Sequence, residues 1–236
     1  MPSDRGPDCV RSVCVFDAYG TLFDVDGAAR AVGLEAGQER FAAHWQRVSA
    51  RWRDKQLQYS WLRTIMGLHA DFWQVTRDGL DWALEAEGLD GDQGLRERLL
   101  ALYRVLPPYP EAAAMLDRLR AMGCRTAILS NGSPEMLAAA VTSARLEQRL
   151  DAVLSVEQAG LFKPAAGVYD LVGRHFGCTP EAVLFVSANG WDAAGASGYG
   201  FTTVWVNRNG HPVDRLPHRP RHQVTDLQRI PELVRG

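Results

Sequence analysis

The chain has 236 residues, with 26 Lys and Arg against 28 Asp and Glu, which gives a formal net charge of −2. This length suits one large domain, or a core with a smaller insertion. A chain of this size can bury enough surface to fold without disulfide bonds or a structural metal. Near-neutral charge without a long basic run argues against a dedicated nucleic-acid binder. No apolar stretch approaches the roughly 18 residues of a membrane helix, and the N-terminus lacks the pattern of a signal peptide. We therefore expect a cytoplasmic protein that binds neither nucleic acid nor membrane.

The four cysteines are scattered along the chain, at Cys9, Cys14, Cys124 and Cys178. They form no Cys-x-x-Cys pair, and no histidine stands at zinc-ligand spacing from them. Cys14 and Cys124 lie in or beside apolar runs, where cysteine usually behaves as a small buried apolar residue. We interpret all four as structural thiols and expect no metal bound through sulfur.

Five short apolar runs predict buried strands, because a continuous apolar run bounded by turn residues is typical of a parallel sheet. The runs are 13–16, 126–129, 152–154, 183–186 and 203–206. The helical patterns between them cover 110–122, 134–149, 165–177 and 190–199. This alternation predicts an α/β fold with a Rossmann-like, doubly wound parallel sheet.

The stretch 25–108 interrupts this alternation. It has no strand pattern, contains five of the seven tryptophans and ends in a Pro-rich return linker. Its apolar spacing is helical, as at Leu57, Trp61, Leu62, Ile65 and Met66. We predict a helical cap over 25–108 inserted into a core of 1–24 and 109–236. Such a cap overhangs the carboxyl end of the first strand, where open α/β sheets bind ligands.

Two other stretches receive no function. Residues 1–10 are interpreted as a loose tail. The stretch 208–222 holds four Arg, three His and three Pro, a composition that also fits an anionic partner. We interpret it as a solvated loop or an edge connection.

Polar residues cluster at the carboxyl ends of four predicted strands. The clusters are Asp17 with Thr21, then 130–132, 163–164 and 187–192. Any one of them fits a helix cap or a turn; Ser133 followed by Pro134, for instance, is typical of a helix N-terminus. Four clusters at one edge of one sheet indicate a site, because that edge is the expected crevice.

These segments resemble the four ordered motifs of the haloacid dehalogenase superfamily, and in particular its L-2-haloacid dehalogenase branch. The resemblance rests on 16–24, 130–133, 163–164, 187–192 and the cap stretch 53–63. It extends over nearly the whole chain, from about 13 to 233. It implies a Rossmann-like core with a helical cap and an aspartate nucleophile.

Most members of that superfamily are Mg²⁺-dependent phosphatases, which carry a second aspartate as general acid two residues after the nucleophile. Here that position is Tyr19, and the last motif has Ser187 and Asn189 where paired carboxylates hold Mg²⁺. A departing halide needs no proton, only a desolvated set of donors. The sequence therefore favours hydrolytic dehalogenation without a metal or another cofactor.

The resemblance implies that Asp17 attacks C2 of a short (S)-2-haloalkanoic acid, and that water then releases the (R)-2-hydroxy acid from the ester. The catalytic residues that it implies are Asp17, Thr21, Arg53, Lys163, Ser187, Asn189 and Asp192. The substrate-binding residues that it implies are Tyr19, Arg53, Leu57, Phe72, Ser130, Asn131, Tyr169 and Trp191. The ligands are the 2-haloacid and the halide ion.

On the substrate side, the resemblance implies that Arg53 and Asn131 face the departing halide. Ser130 and backbone N–H groups near Tyr19 hold the substrate carboxylate. The apolar walls that exclude water are Leu57, Phe72 and Trp191.

On the nucleophile side, the resemblance implies that Thr21 and Ser187 orient Asp17. Lys163 offsets the negative charge of Asp17 and Asp192.

Other implied roles leave alternatives open. Asn189 and Asp192 position the hydrolytic water, while Tyr169 supports either Arg53 or the carboxylates. A turn role for Thr21 and a packing role for Tyr169 remain open. Arg53 stands in a charge run beside Arg51, and only the resemblance selects Arg53 for the pocket.

Two rival functions remain. One is a related hydrolase that forms the same aspartyl ester on another small carboxylate, with defluorination or ring opening as its reaction. The other is a binding protein for small carboxylates without turnover. The resemblance also implies a homodimer formed through the cap helices.

Overall fold

A parallel sheet of six strands forms the centre of the computed structural model, which describes residues 11–234. The strands are β1 Val13–Phe16, β2 Arg125–Ser130, β3 Ala152–Ser155, β4 Val183–Ser187, β5 Thr202–Val206 and β6 His222–Val224. All five sequence-predicted strands are present, within one or two residues of their expected ends. Cys9 and the tail predicted for 1–10 lie outside the described residues.

The strand order is β3-β2-β1-β4-β5-β6, and every neighbouring pair is parallel. The chain therefore runs outward from β1 in one direction, returns to β4 beside β1 and continues in the other direction. Right-handed crossovers place the connecting helices on both faces of such a sheet. The predicted doubly wound α/β class is confirmed. The reversal between β1 and β4 leaves a crevice at their carboxyl ends.

The core helices follow the predicted alternation. They are α6 Ala112–Ala121, α7 Pro134–Ser143, α8 Ala166–Phe176, α9 Gly190–Tyr199 and α10 Ile230–Leu233. The single helix predicted over 134–149 is wrong in its second half, because Arg145 takes a left-handed backbone with φ of 55° that cannot continue an α-helix. A 3₁₀ turn, Glu147–Arg149, follows instead. The turn buries Leu146 before β3 begins.

The sixth strand was not predicted. β6 pairs with β5 at the edge of the sheet and begins at His222, the last residue of the basic stretch. It has three residues, none of them fully buried, so it carries no apolar run that periodicity detects. The rest of the stretch 208–222 is mostly exposed, as expected of a connection at the edge.

Five helices occupy 25–108, and no strand lies in that range, all of which the structure describes. They are α1 Gly27–Gly33, α2 Glu39–Ala42, α3 Trp45–Met66, α4 Phe72–Ala86 and α5 Gln93–Tyr103. We call this range the helical insertion. Its two connections to the core lie side by side, since the N–H of Asp24 donates to Pro107 O and that of Tyr109 donates to Leu22 O, both at 2.9 Å. The domain limits drawn from the sequence remain predictions.

The long helix α3 buries a face that its apolar spacing does not predict. Its fully buried residues are Val48, Ser49, Trp52, Gln56 and Ser60. By contrast, Leu62, Ile65 and Met66, whose spacing helped to predict the helix, are exposed. The inner face suits small and polar groups because it packs closely on α4 and carries buried hydrogen bonds. No helix of the described residues is long and apolar enough to span a bilayer.

Candidate active site

The loops that follow the strands converge on one pocket between the sheet and the helical insertion. Its ten lining residues are Asp17, Tyr19, Arg53, Leu57, Phe72, Ser130, Asn131, Lys163, Asn189 and Trp191. All ten belong to the site predicted from the sequence. The other four predicted residues, Thr21, Tyr169, Ser187 and Asp192, lie behind these walls.

The carboxylate of Asp17 is held by three donors. Its backbone N–H continues the ladder from β1 by donating to Val186 O at 2.9 Å. Oδ1 accepts a hydrogen bond from Lys163 Nζ at 3.1 Å. Oδ2 accepts one from Thr21 Oγ1 at 3.1 Å and one from Asn189 Nδ2 at 2.9 Å. Thr21 also accepts from the N–H of Ala188 at 2.8 Å, so it ties two strand-end loops together.

The ammonium of Lys163 lies between two buried carboxylates. It also donates to Asp192 Oδ2 at 2.9 Å, and its own side chain is 1% exposed. Burial opposes the positive charge, but Asp17 and Asp192 outweigh it and raise the pKa of Lys163. Burial raises the pKa of Asp192, the positive charge of Lys163 lowers it, and the negative charge of Asp17 raises it. The net result is a pKa above the ordinary value for Asp192. Lys163 thus offsets the negative charge of both carboxylates.

Asp192 and Tyr169 form the layer behind this ion pair. Tyr169 donates from its hydroxyl to Asp192 Oδ1 at 2.8 Å. Of the two roles proposed for Tyr169, the geometry therefore matches support of the carboxylates, rather than contact with Arg53. Asp192 is fully buried and both of its oxygens are engaged. Asp192 does not line the pocket, and the part it plays in positioning a hydrolytic water remains a prediction.

Ser187 is fully buried at the end of β4. Its Oγ accepts a hydrogen bond from the backbone N–H of Asn189 at 3.1 Å. Ser187 therefore shapes the loop that presents Asn189, whose amide donates to Asp17. The role of Ser187 in orienting Asp17 remains a prediction.

Arg53 and Arg51 lie on different sides of α3. Arg53 lines the pocket, and its Nη2 donates to Asn189 Oδ1 at 3.2 Å. Arg51 instead pairs with Glu87 at 2.9 Å, with 44% of its side chain exposed. Residues two positions apart in sequence lie about 200° apart around a helix. Arg53 therefore faces the pocket while Arg51 faces away from it.

The loop after β2 presents Ser130 and Asn131 to the pocket. Asn131 Oδ1 accepts from the backbone N–H of Lys163 at 3.0 Å, which leaves its amide NH₂ as a donor. Ser130 Oγ accepts from the N–H of Gly132 at 3.1 Å, which leaves its O–H as a donor. A Cβ at Gly132 would lie 2.9 Å from the ring of Tyr19, so this position requires glycine.

Apolar groups close the remaining walls. Leu57 and Phe72 come from α3 and α4, and Trp191 comes from the start of α9. The ring of Trp191 meets Trp61 of α3 edge-on, with centroids 5.4 Å apart. The contact between these two indoles joins the core to the helical insertion beside the pocket. Water exclusion of this kind strengthens electrostatic interactions inside.

A wider cleft adjoins the pocket and was missed by sequence reasoning. It is lined in part by residues within 205–214, to which the sequence assigned no function. Arg208 anchors this segment by pairing with Glu111 at 2.7 Å and donating to Thr21 O at 3.3 Å. Its guanidinium also lies over the ring of Tyr109, 3.6 Å from the centroid. A basic residue in a basic run carries no local signal of such a role.

Comparison with known proteins agrees with this geometry. A family model described as haloacid dehalogenase-like hydrolase matches residues 12–200. The (S)-2-haloacid dehalogenase 4A of Burkholderia cepacia is 42% identical over 217 residues, which cover 92% of each chain. A solved dehalogenase with an intermediate complex is 41% identical, with a TM-score of 0.90 over 97% of this chain and 99% of that one. The L-2-haloacid dehalogenase of Xanthobacter autotrophicus, with chloropropionic acid covalently bound, is 38% identical, with a TM-score of 0.85 over 95% and 98% of the two chains.

Fold, site and relatives together define a hydrolase with a Rossmann-like core and a buried carboxylate at the switch point of its sheet. Because the family model covers most of the chain and the relatives match nearly all of it, the chain belongs to the haloacid dehalogenase-like hydrolases.

Replacing Lys163 by methionine tests the buried ion pair. We expect Lys163→Met to lower the free energy of unfolding at pH 7 by about 3–5 kcal/mol, since an uncompensated buried charge is left behind. Loss of the ammonium raises the pKa of Asp192 further above its value in the unfolded chain. The folded state then binds the extra proton, so stability recovers as the pH falls from about 7 to 5. Urea unfolding followed by circular dichroism at the two pH values measures both effects.

The only other lysine in the sequence provides the control. Lys55 lies over the ring of Trp82 at 4.1 Å on the outside of α3. Lys55→Met should cost no more than about 1 kcal/mol, with no pH dependence in this range. A deficit of Lys163→Met that does not shrink on acidification would contradict the ion pair.

Proposed function

We propose that this protein hydrolyses short (S)-2-haloalkanoic acids to (R)-2-hydroxy acids through an ester on Asp17. One observation carries the proposal. Among the described residues that line the pocket, Asp17 is the only acid, and it is held by three donors and accompanied by the guanidinium of Arg53. This arrangement suits a carboxylate nucleophile whose leaving group is an anion that needs no proton.

In the first step a carboxylate oxygen of Asp17 attacks C2 of the substrate from the side opposite the halogen. The new C–O bond forms as the carbon–halogen bond breaks, and its electron pair leaves with the halide. Arg53 and the amide NH₂ of Asn131 stabilise the developing negative charge. The O–H of Ser130 and backbone N–H groups near Tyr19 hold the substrate carboxylate. Attack from the opposite side inverts C2, which accounts for the (R) product.

In the second step water attacks Cγ of Asp17, and the bond from Cγ to the substrate oxygen breaks. The leaving alkoxide takes one proton from the attacking water, the second proton is released to solvent, and Asp17 regains a carboxylate that contains one water oxygen. Asn189 donates to Asp17 and accepts from Arg53, and we assign to its amide the positioning of this water. Lys163 and Asp192 act from behind, by balancing charge as the ester forms and breaks.

The relatives support this assignment. The Burkholderia cepacia protein is an (S)-2-haloacid dehalogenase, and the Xanthobacter autotrophicus structure holds chloropropionic acid covalently, as an ester mechanism requires. The phosphatase alternative lacks its general acid, because Tyr19 stands in that position and burial raises its pKa well above the ordinary value, with Tyr103 and Asp17 adding to the rise. Independence from metal and from other cofactors remains a prediction.

We further propose a homodimer that covers the outer face of α3. Leu62, Ile65 and Met66 are 50%, 81% and 58% exposed, and Leu68 follows at 60%. A contiguous exposed apolar patch of this kind marks an interaction site on a protein surface. The cytoplasmic location expected from the sequence also remains a prediction.

Halide release tests the activity. The wild-type chain should release chloride from (S)-2-chloropropionate and not from the (R) enantiomer, with full activity in EDTA. Saturable binding without chloride release would indicate a binding protein. Exclusive turnover of fluoroacetate or of a strained-ring carboxylate would indicate the related hydrolases. Activity that is lost in EDTA and restored by Mg²⁺ would favour the phosphatase alternative.

Isotope labelling tests the nucleophile in the same preparation. A single turnover in H₂¹⁸O should place the label in Asp17 and leave the first hydroxy acid unlabelled, since the water oxygen enters at Cγ. Asp17→Asn should abolish turnover with the fold intact by circular dichroism. Label found first in the product would mean that water attacks C2 directly.

The leaving-group site is tested at Arg53. Removing one donor of this type typically costs on the order of 10²–10³ in rate. Lysine keeps the charge but loses the planar fork of donors. Arg53→Lys should therefore lower kcat on 2-chloropropionate at least about tenfold, with a smaller effect on KM. Arg51→Lys is the matched control and should stay near wild type, because Arg51 pairs with Glu87 outside the pocket. Equal effects of the two substitutions would show that α3 is placed out of register.

Sedimentation velocity tests the dimer. The wild-type chain should sediment as a dimer, and Ile65→Glu should shift it toward the monomer, since a charge would be buried without a partner. Leu34→Glu is the control, because Leu34 is 83% exposed in the turn that follows α1, away from α3 in sequence. A monomeric wild type, or an equal shift toward the monomer in both variants, would contradict the proposed dimer.

A further inference from the structure

The residues that set the position of Arg53 lie outside the pocket, in a buried polar contact within the helical insertion. Gln56, one turn after Arg53 on α3, is 1% exposed. Its Nε2 donates to Thr76 Oγ1 of α4 at 3.0 Å and to the hydroxyl of Tyr103 at 3.2 Å. The Tyr103 hydroxyl lies 3.3 Å from Gln56 Oε1 and can donate to it. One amide therefore links three helices of the helical insertion.

Tyr103 also reaches the nucleophile loop. It is the last residue of α5, and its ring stacks on that of Tyr19 with centroids 5.5 Å apart and planes 18° apart. Tyr19 stands two residues after Asp17, and its ring also lies beside Phe23, Phe72 and Gly132 of the loop after β2. Burial raises the pKa of Tyr103, with Arg53 opposing the rise, so the phenol keeps its proton at neutral pH.

We propose that Gln56 and Tyr103 are positioning residues that align Arg53 with the departing halide. The hydrogen bond between Gln56 and Tyr103 holds α3 at one rotation about its own axis. The stacking of Tyr103 on Tyr19 fixes that rotation relative to the loop that carries Asp17. Neither residue lines the pocket, so both act through Arg53. The inference rests on the proposed function, because the alignment matters only if an anion departs toward Arg53.

The leaving group provides a readout that a purely structural role would not change. Chloride is a poorer leaving group than bromide and depends more on donors in the transition state. A misaligned Arg53 therefore slows chloride loss more than bromide loss. We expect Tyr103→Phe, which keeps the stacked ring, to raise the ratio of single-turnover rates for 2-bromo- and 2-chloropropionate by about threefold or more, with KM little changed.

Gln56→Met provides a second variant that keeps the length of the side chain and the helix propensity. It should raise the ratio as Tyr103→Phe does. The double variant should show no further rise, because both substitutions break the same contact. The control is Ser60→Ala on the same helix. Ser60 is fully buried and donates to Gln56 O at 2.7 Å, a bond within the backbone turn of α3 that makes no link to α5. Ser60→Ala should lower stability and leave the ratio at the wild-type value.

A ratio unchanged in Tyr103→Phe and Gln56→Met, or changed equally in Ser60→Ala, overturns the inference while the wild type still releases halide. A wild type that releases no halide refutes the proposed function instead. Bromide binding, followed by quenching of tryptophan fluorescence, then decides the inference without turnover. The bromide Kd should rise severalfold in Tyr103→Phe and not in Ser60→Ala, and equal Kd values in the three proteins would overturn it.

Discussion

The buried ammonium of Lys163, shared by Asp17 and Asp192, is the interaction on which the rest of the site depends. Two carboxylates this close repel each other, and each loses its hydration when buried. Lysine compensates both only if three separate segments meet within hydrogen-bond distance. The parallel sheet meets this requirement, because β1 and β4 are neighbours and the segment after β3 returns across their carboxyl ends.

The sheet provides the nucleophile and its charge balance, and the helical insertion provides the opposite wall. Contacts across the boundary hold the two parts together beside the pocket. The N–H of Phe162 donates to Thr64 Oγ1 at 3.0 Å, and the N–H of Phe72 donates to Glu157 Oε1 at 3.1 Å. A pocket closed in this way excludes water, which strengthens the attraction between a guanidinium and a departing anion.

Much of this arrangement was predictable from the sequence. Each core strand is a short apolar run, and each run ends in polar residues, so the strands and the edge that bears the site follow from local pattern. The ten residues that line the pocket were all named from the family resemblance: seven lie in the ordered motifs, Arg53 and Leu57 lie in the cap stretch, and Phe72 was named as a matching apolar wall position. Even the selection of Arg53 over Arg51 matches the observed geometry, although the charge run itself does not distinguish them.

The sequence by itself determined the α/β class, the insertion of helices after β1 and the residue types at the strand ends. Only the tertiary structure decided which partner each polar group takes: Ser187 bonds its own loop, Asp192 turns away from the pocket, and Arg208 anchors a remote segment against Glu111. It also decided that Leu62, Ile65 and Met66 of α3 face outward and that β6 joins the edge of the sheet. The physical reason is that periodicity records burial along one segment. The direction of a side chain, in contrast, depends on distances to segments far away in sequence.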